Sequence, residues 1–567
     1  MGHSHGPHDH HDHTHGHSHD EVVTPATDLS VPDAELPPPD LGRRNFLRAA
    51  GVIGAGVAAT SLVDGSGLAT ASAAEGSQAA GANPQRGFRW LAGDHHIHTQ
   101  FSSDGLYTVE DQVKHAAAFG LDWVVITDHG GSQHSRIGVE KVNPHIRASR
   151  ERHEGMFVFQ GLEWNIPSAE HGTVFVHPGR NEVDVLKAFE QGYDGSVIGA
   201  GHSAAWEQRA IEGLQFLQTA VDSQRVADAV MLANHPARQG IDSPHEVRAW
   251  RDAADIAIGW EGAPGHQAAG IAAPLGPGSA RGYYGNAPRA DRSHPGYPLE
   301  SYRTWGGFDF YTAAVGGLWD SLLAEGKPWW ISANSDSHSN YLDTAQRGPG
   351  SDFTTNGQYN DPVYSGKPNT TAGDYFPGFY SRTNVGATRA SYAGVMDGLR
   401  AGNVWVDHGR LVDEVDVRVH AGGRTVGLGG VLTARRGSEV EITIRITPAQ
   451  GSNWAQFVPQ LAKVDLIRGA VTGPVADKDT LTAPETRVER TWDVRGQEVI
   501  EIRQSLGRVD DRGFYVRLRG SDGNRTQAGF YASAQDATGP AIDVVGDADP
   551  WRDLWFYTNP VFVLPQA

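Results

Sequence analysis

Five short segments rich in metal-ligand residue types each follow an apolar run in the middle of the chain. They are residues 94–98, 126–129, 161–163, 233–236 and 334–338. Short apolar runs are typical of buried strands, and the carboxyl ends of the strands of an α/β barrel lie on one face. The ordered set therefore predicts an α/β barrel that carries a multinuclear metal site at its strand ends.

The composition limits which groups can hold such a metal. The chain of 567 residues has no cysteine, which excludes disulfides and thiolate ligands. Its 27 histidines and 67 acidic residues can supply imidazole and carboxylate ligands instead. The formal net charge of −20 disfavours stable nucleic-acid binding and attachment to an anionic membrane.

The amino-terminal region predicts export. Arg43 and Arg44 precede Phe46 and Leu47, a stretch of Ala, Gly and Val, and the small residues 71–73, in the order of a twin-arginine signal. Residues 41–74 would be this signal, with the twin-arginine machinery as partner and a secreted, periplasmic or cell-wall destination. Asp64 and several glycines interrupt the run before the roughly 20 apolar residues of a membrane anchor.

The regions around the signal are polar. Residues 1–40 form a His-rich tail that we expect to be disordered, and either a metal-collecting role or an accidental tract would explain it. Residues 75–87 are small and polar, which indicates a linker.

Strand-like and helix-like runs alternate over residues 88–412, as expected of parallel strands with helical crossovers. Two insertions, residues 262–307 and 343–384, interrupt the pattern; we expect them to form the rim of an active site, although surface decoration is an alternative. Residues 413–567 alternate apolar with polar residues, which predicts an all-β sandwich domain.

Single residues within the five segments support the metal interpretation. His96 and His98 alternate on one strand and therefore share a face. Asp128 and His129 stand at the mouth of an apolar strand, where an unpaired charge is costly. Each histidine alone could equally be a core residue with satisfied hydrogen bonds or a helix cap. To explain the whole set, that alternative would have to hold independently at every strand end.

Together the segments resemble the polymerase-and-histidinol-phosphatase (PHP) domain phosphoesterases. The resemblance covers about residues 89–409 and implies a distorted (β/α)7 TIM-like barrel, a cluster of two or three divalent ions, and hydrolysis of phosphate esters. The matching motifs are His96-Ile97-His98 with Ser103-Asp104-Gly105, Thr127-Asp128-His129, Gly161-Leu162-Glu163, Asn234-His235-Pro236 and Ser335-Asp336-Ser337-His338.

The resemblance also implies roles for single residues. The first ion would take His96, His98, Glu163 and Asp336; the second Glu163, His171 and His235; the third Asp104, His129 and His338. His177 competes with His171, and the role of His95 is left open. Catalysis by a metal-bound hydroxide would fall to Asp128, His129, Glu163 and Asp336, with Asp128 orienting His129 or a water.

Several alternatives stay open. The nitrogen and oxygen ligands suit Zn, Mn or Fe, and the substrate is a phosphate monoester or diester on a small molecule such as a nucleotide, a phospholipid head group or a wall polymer. Candidate phosphate clamps are Arg281, Arg289, Arg303 and Arg382. An exported metal- or glycan-binding protein with a non-catalytic barrel is the main alternative. An amidohydrolase would be expected to show a bridging lysine where this chain has Glu163.

Overall fold

The computed structural model describes residues 88–285, 288–524, 527–546 and 548–566. The predicted His-rich tail, signal and linker therefore lie outside the described residues. Within the described ranges, no helix combines the length and the apolarity of a membrane-spanning segment.

The first part of the chain alternates strands with helices, as the sequence pattern predicts. Its strands are β1 (Arg89–Asp94), β2 (Trp123–Ile126), β3 (Phe157–Asn165), β4 (His171–Val176), β5 (Ala229–Ala233), β6 (Ala257–Ala263) and β7 (Trp330–Ala333). Its helices are α1 (Val109–Ala118), α2 (His134–Arg152), α3 (Glu182–Tyr193), α4 (Gly195–Ile198), α5 (Ala204–Asp222), α6 (Pro244–Ala253), α7 (Phe310–Ala313) and α8 (Leu318–Ala324).

The strands form one mixed sheet in the order β1 to β7. The pairs β1–β2, β2–β3, β5–β6 and β6–β7 are parallel, whereas β4 runs antiparallel to both β3 and β5. The predicted (β/α)7 barrel is not confirmed, because β4 breaks the run of parallel strands and none of the described ladders joins β7 to β1. What the structure does show is a mixed sheet with helices.

The carboxyl ends of these strands nevertheless converge. A parallel bridge joins Ile97, just beyond β1, to Ser337, just beyond β7, and another joins His129 to Glu163. Strands β2 and β5, which end at this edge of the sheet, are entirely apolar, and every one of their residues is buried. The buried strands thus hold the polar residues at their ends in fixed positions.

The two insertions contain mostly short elements. The described residues of the first form 3-10 helices at Gln267–Gly270, Arg281–Tyr283 and Leu299–Tyr302. The second carries the paired strands β8 (Ala345–Gln346) and β9 (Val363–Tyr364), with helix α9 (Phe353–Asn356) between them.

The remaining elements are nearly all strands. They are β10 (Ser381–Ala387), α10 (Tyr392–Arg400), β11 (Val404–His408), β12 (Val412–Ala421), β13 (Arg424–Val426), β14 (Val431–Ala434), β15 (Glu439–Pro448), β16 (Lys463–Ala470), β17 (Arg487–Asp493), β18 (Ile500–Arg508), β19 (Phe514–Ser521), a 3-10 turn (Pro550–Arg552), β20 (Trp555–Thr558) and β21 (Val561–Pro565).

Two sheets face each other in the carboxyl-terminal part. Strands β13, β12, β15 and β18 form one sheet, and alternate residues of β12, namely Val415, Val417 and Val419, point into a core shared with Leu466 and Val516 of the other sheet. This arrangement fits the expected all-β region. The second sheet continues through β20 and β11 into the first part of the chain, and the proposed boundary at residue 412 stays a prediction.

Ion pairs join the two parts of the chain. Asp320 on α8 receives two hydrogen bonds from Arg517 on β19, at 3.0 and 2.9 Å, and both side chains are fully buried. At the surface, His245 on α6 lies 3.5 Å from Glu207 and 2.6 Å from Asp479. Hydrogen bonds to Glu207 and Asp479 outweigh partial burial and raise the pKa of His245 to about 9.

Candidate metal centre

Glu163, at the end of β3, is the centre of the site. The residue is 1% exposed, and its two carboxylate oxygens contact five imidazole nitrogens. The partners are His96 Nε2 (3.2 Å), His171 Nδ1 (3.0 Å) and His235 Nε2 (3.1 Å) on Oε1, and His98 Nε2 (3.3 Å) and His129 Nδ1 (2.8 Å) on Oε2. Because histidines surround both oxygens, this carboxylate could act as a metal ligand through either oxygen.

The histidines also set the charge of Glu163. Burial alone would raise the pKa of this carboxyl, but His96, His171 and His129 hold it well below its usual range. Burial and the nearby Arg238 lower the pKa of His235 well below its usual range, so that ring is neutral. Burial alone would lower the pKa of His96, but nearby Asp336 and Glu163 outweigh it and raise that pKa well above its usual range, so a bound cation would replace the proton on that ring. An ionised carboxylate beside a neutral imidazole such as His235 is a typical ligand set for a divalent metal.

Asp336 contacts the same Nε2 atoms of His96 and His98 that Glu163 contacts. Its Oδ1 is 3.1 Å from His96 Nε2 and 3.2 Å from His98 Nε2. Although it is buried, this oxygen has no hydrogen-bond partner among the described residues. An unsatisfied buried carboxylate oxygen is costly, and a bound cation would satisfy it.

Asp104, His129 and His338 form the outer edge of the cluster. Asp104 Oδ2 is 3.1 Å from His129 Nε2, and Asp104 Oδ1 is 3.5 Å from His338 Nε2. The ring of His338 stacks on that of His98 at 3.8 Å. Asp104 is half exposed, so this edge of the cluster faces solvent.

The hydrogen-bond partners of His96 and His98 indicate whether a metal ion fits this cluster. His96 Nδ1 lies 2.7 Å from Glu261 Oε1, and His98 Nδ1 lies 2.9 Å from Ser102 Oγ. If these nitrogens carry the protons, the two Nε2 atoms, 3.0 Å apart, both present lone pairs. Lone pairs and carboxylate oxygens then converge without a donor, an arrangement that fits a divalent cation.

Groups of three or four ligand atoms within 4.8 Å of one another recur across the cluster. They are His98, Asp104, His129 and His338; His96, His98 and Glu163; His129, Glu163 and His171; and His266, His338 and Asp374. These groups contain seven of the nine side chains that the resemblance implied as ligands, together with His266 and Asp374, which the sequence analysis did not name. The other two, His235 and Asp336, join the same cluster through their contacts with Glu163 and His96.

Two further acidic residues support the ligands from behind. Glu261, near the carboxyl end of β6, accepts from the His235 backbone N–H (2.6 Å) as well as binding His96, and sequence reasoning missed it. Asp128 does not line the cleft; its Oδ1 accepts from Thr99 N and from Ser102 Oγ, which in turn bonds His98. Asp128 therefore acts through Ser102.

The structure separates the competing histidines. His171 contacts Glu163, whereas the Nδ1 of His177 bonds the Pro178 carbonyl instead. His95 points away from the cluster, with Nε2 2.8 Å from Ser332 Oγ. Burial and the neighbouring His96 lower the pKa of His95 to about 3, so it is a neutral core residue.

An open cleft of about 520 Å³ leads to the cluster. Both insertions contribute to its wall, as the sequence analysis expected. The lining residues beyond the predicted ligands are Arg238, His266, Tyr283, Ser339, Asn369, Thr371, Ala372, Gly373 and Asp374.

The expected arginine clamps are not in this cleft. Arg281 is buried against Gln267, Tyr380 and Asp553, and Arg382 is paired with Asp407. Arg289 and Arg303 do not line the cleft either, and among the described residues that do, Arg238 is the sole arginine. Sequence reasoning missed Arg238 although it lies only two residues beyond the segment 233–236.

Comparison with known proteins matches part of the chain to a family. Residues 94–234 match the PHP domain family model. No curated protein matches the chain in sequence. Among solved structures, the chain is similar to a two-domain protein containing a predicted PHP-like metal-dependent phosphoesterase from Bacteroides vulgatus, with 16% identity, coverage of 83% of this chain and 99% of that chain, and a TM-score of 0.33. Residues 94–234 of this chain are therefore similar to a PHP domain.

Proposed function

We propose that the chain is a metal-dependent phosphoesterase that hydrolyses phosphate monoesters or diesters in the cleft above Glu163. The observation that carries the proposal is the contact of one buried carboxylate with five imidazoles. The PHP domain match over residues 94–234 supports the same function.

Two or three divalent ions, of Zn, Mn or Fe, would be held by the predicted ligands around Glu163. Bound at this site, they would supply Lewis-acid charge and a water-derived nucleophile near neutral pH. The chain's own part is to hold Glu163 and Asp336 ionised, and to keep the Nε2 atoms of His96 and His98 free through Glu261 and the Asp128–Ser102 contact.

Arg238 is placed to bind the phosphate. Its side chain lines the cleft, and its ion pair with Glu170 is a long contact of 3.8 Å. Guanidinium N–H groups in this position could bind non-bridging phosphate oxygens. Arg238→Ala should therefore raise KM more than it lowers kcat.

The proposal is tested by loading the purified full chain with Mn²⁺ or Zn²⁺ and following hydrolysis of bis(p-nitrophenyl) phosphate and p-nitrophenyl phosphate, with and without a chelator. We expect chelator-sensitive turnover that Glu163→Gln abolishes. Glu190→Gln is the matched control, because Glu190 is also buried and also contacts a histidine, His134, at 2.9 Å, but lies outside the cluster.

The outcome separates the possibilities. The ester that is cleaved faster identifies the subclass, and the size of the cleft suits a substrate larger than phosphate alone, such as a nucleotide, a phospholipid head group or a wall polymer. Tight metal binding without turnover of either ester would contradict the proposal and favour the binding-protein alternative.

We further propose that the chain is exported through the twin-arginine route, on the basis of Arg43, Arg44 and the small residues that follow. Replacing both arginines with lysine should stop release of a mature chain that begins near Ala74, whereas Arg48→Lys should not. Release of both variants at the wild-type level, measured by mass spectrometry of the extracellular fraction, would contradict export by this route.

A further inference from the structure

His266, on the first insertion, lies between two carboxylates. Its Nε2 is 2.6 Å from Asp336 Oδ2, and its Nδ1 is 2.5 Å from Asp374 Oδ1 on the second insertion. Each ring nitrogen thus lies within hydrogen-bonding distance of a different carboxylate. The ring therefore connects both insertions to a predicted metal ligand.

This contact makes the two oxygens of Asp336 different. Oδ2 accepts from His266, whereas Oδ1 faces His96 and His98 and has no hydrogen-bond partner among the described residues. A carboxylate with one oxygen fixed in this way presents the other oxygen, in one orientation, to a cation. Without His266, the carboxylate would be free to rotate.

Asp374 supports a second ligand at the same time. Its Oδ2 accepts from the backbone N–H groups of His338 (2.7 Å) and Ser339 (3.0 Å). The carboxylate therefore holds His266 with one oxygen and the backbone of His338 with the other. Asp374 thus restrains Asp336 through His266, and it restrains His338 through the backbone of that residue.

The backbone around this contact is tightly packed and strained. His266 and Asp336 have positive φ angles of 55° and 47°, a backbone conformation that is unfavourable for non-glycine residues. The His266 N–H donates to the Ser335 carbonyl (3.2 Å), and a Cβ on Gly265 would lie 2.2 Å from that oxygen. Such strain is concentrated at functional sites.

The two insertions also contact each other directly, because the Ala269 N–H donates to the Gly373 carbonyl at 3.1 Å. We propose that His266 and Asp374 are a positioning pair, one residue from each insertion, that orients Asp336 and His338 to bind divalent cations. This inference rests on the proposed metal centre and adds that the insertions are needed to complete it.

The test measures metal binding rather than turnover. The full chain is stripped with a chelator, and the affinity and stoichiometry for Mn²⁺ and Zn²⁺ are measured by calorimetry and elemental analysis. His266→Ala should lower the affinity for at least one ion by about 10–100-fold, and His266→Gln, which can serve only one of the two carboxylates, should lie between His266→Ala and the wild type. Asp374→Asn should also weaken binding.

The matched control is His153→Ala, since His153 pairs with Glu110 at 2.9 Å outside the cleft. It should bind metal as the wild type does. Wild-type affinity and stoichiometry in a folded His266→Ala or His266→Gln variant would overturn the proposal, as would an equal loss in His153→Ala.

The two proposals fail in different ways. A wild-type chain that binds ions tightly but cleaves neither ester contradicts the phosphoesterase function, and the affinity ratio of the His266 variants still decides the role of the pair. In an active enzyme, excess metal should restore turnover of His266→Ala, which a general loss of structure would not allow.

Discussion

Replacement of Glu261 by glutamine is a sharp perturbation of the proposed metal centre, because it changes one atom behind the ligands. Both Glu261 oxygens accept a buried hydrogen bond, Oε1 from His96 Nδ1 at 2.7 Å and Oε2 from the His235 backbone at 2.6 Å. The amide keeps one acceptor and turns the other into a donor.

Either orientation of the amide weakens the site. If its NH₂ group faces His96, the imidazole proton must move to Nε2, the atom that a cation needs. If the NH₂ group faces the His235 backbone N–H, two buried hydrogen-bond donors face each other without an acceptor. An unsatisfied buried donor costs about 1–3 kcal/mol, which corresponds to roughly 5–150-fold in affinity and agrees with the 10–100-fold typical of such supporting residues.

Calorimetric titration of the chelator-stripped full chain with Zn²⁺ or Mn²⁺ measures this loss directly. We expect the affinity of Glu261→Gln to fall by about 10–100-fold, while Glu190→Gln binds as the wild type does. Unchanged affinity in a folded Glu261→Gln protein would refute the view that Glu261 keeps the His96 Nε2 atom available.

Three further predictions concern other residues. His171→Ala should remove or weaken one bound ion in elemental analysis and His177→Ala should not; the reverse result would exchange their roles. Asp320→Ala leaves Arg517 buried without its partner and should destabilise the protein by about 3–5 kcal/mol in urea unfolding; a change below about 1 kcal/mol would contradict that. The two carboxylate partners of His245 raise its pKa to about 9. Protonated His245 therefore stabilises the folded state fully below about pH 6.5, and this stabilisation is lost as pH rises through 9. Because this side chain is 38% exposed, screening keeps the effect below about 1 kcal/mol; His245→Ala should lower Tm more at pH 6 than at pH 9.5, and an equal decrease at both would contradict the assignment.

The parts of the site that the sequence predicts are those set by strand ends. His96 and His98 share a face because alternate residues of an extended segment do so, and Glu163 follows an apolar run that could only be a buried strand. Glu261 lies near the carboxyl end of β6 in the same way and could have been identified by the same reasoning. Its run of Gly259, Trp260 and Gly262 has few aliphatic residues, which hid the strand signal.

The insertions could not be predicted in this way. His266 and Asp374 lie on segments with little regular structure, and their meeting at Asp336 depends on long-range contacts rather than on any local period. Arg281 shows the same limit, since it lies in a polar, glycine-rich segment yet is fully buried. The direction of β4, which distinguishes this mixed sheet from a parallel barrel, also depends on pairing and not on apolar pattern.

Glu163 is proposed to bridge divalent cations. Crystals of the full chain grown with Mn²⁺ or Zn²⁺, with diffraction data collected at the absorption edge of that metal, would locate any bound ions. We expect at least two anomalous peaks, one beside each oxygen of Glu163, at about 2.0–2.2 Å. Anomalous peaks that lie elsewhere on the protein, with none beside Glu163, would contradict it.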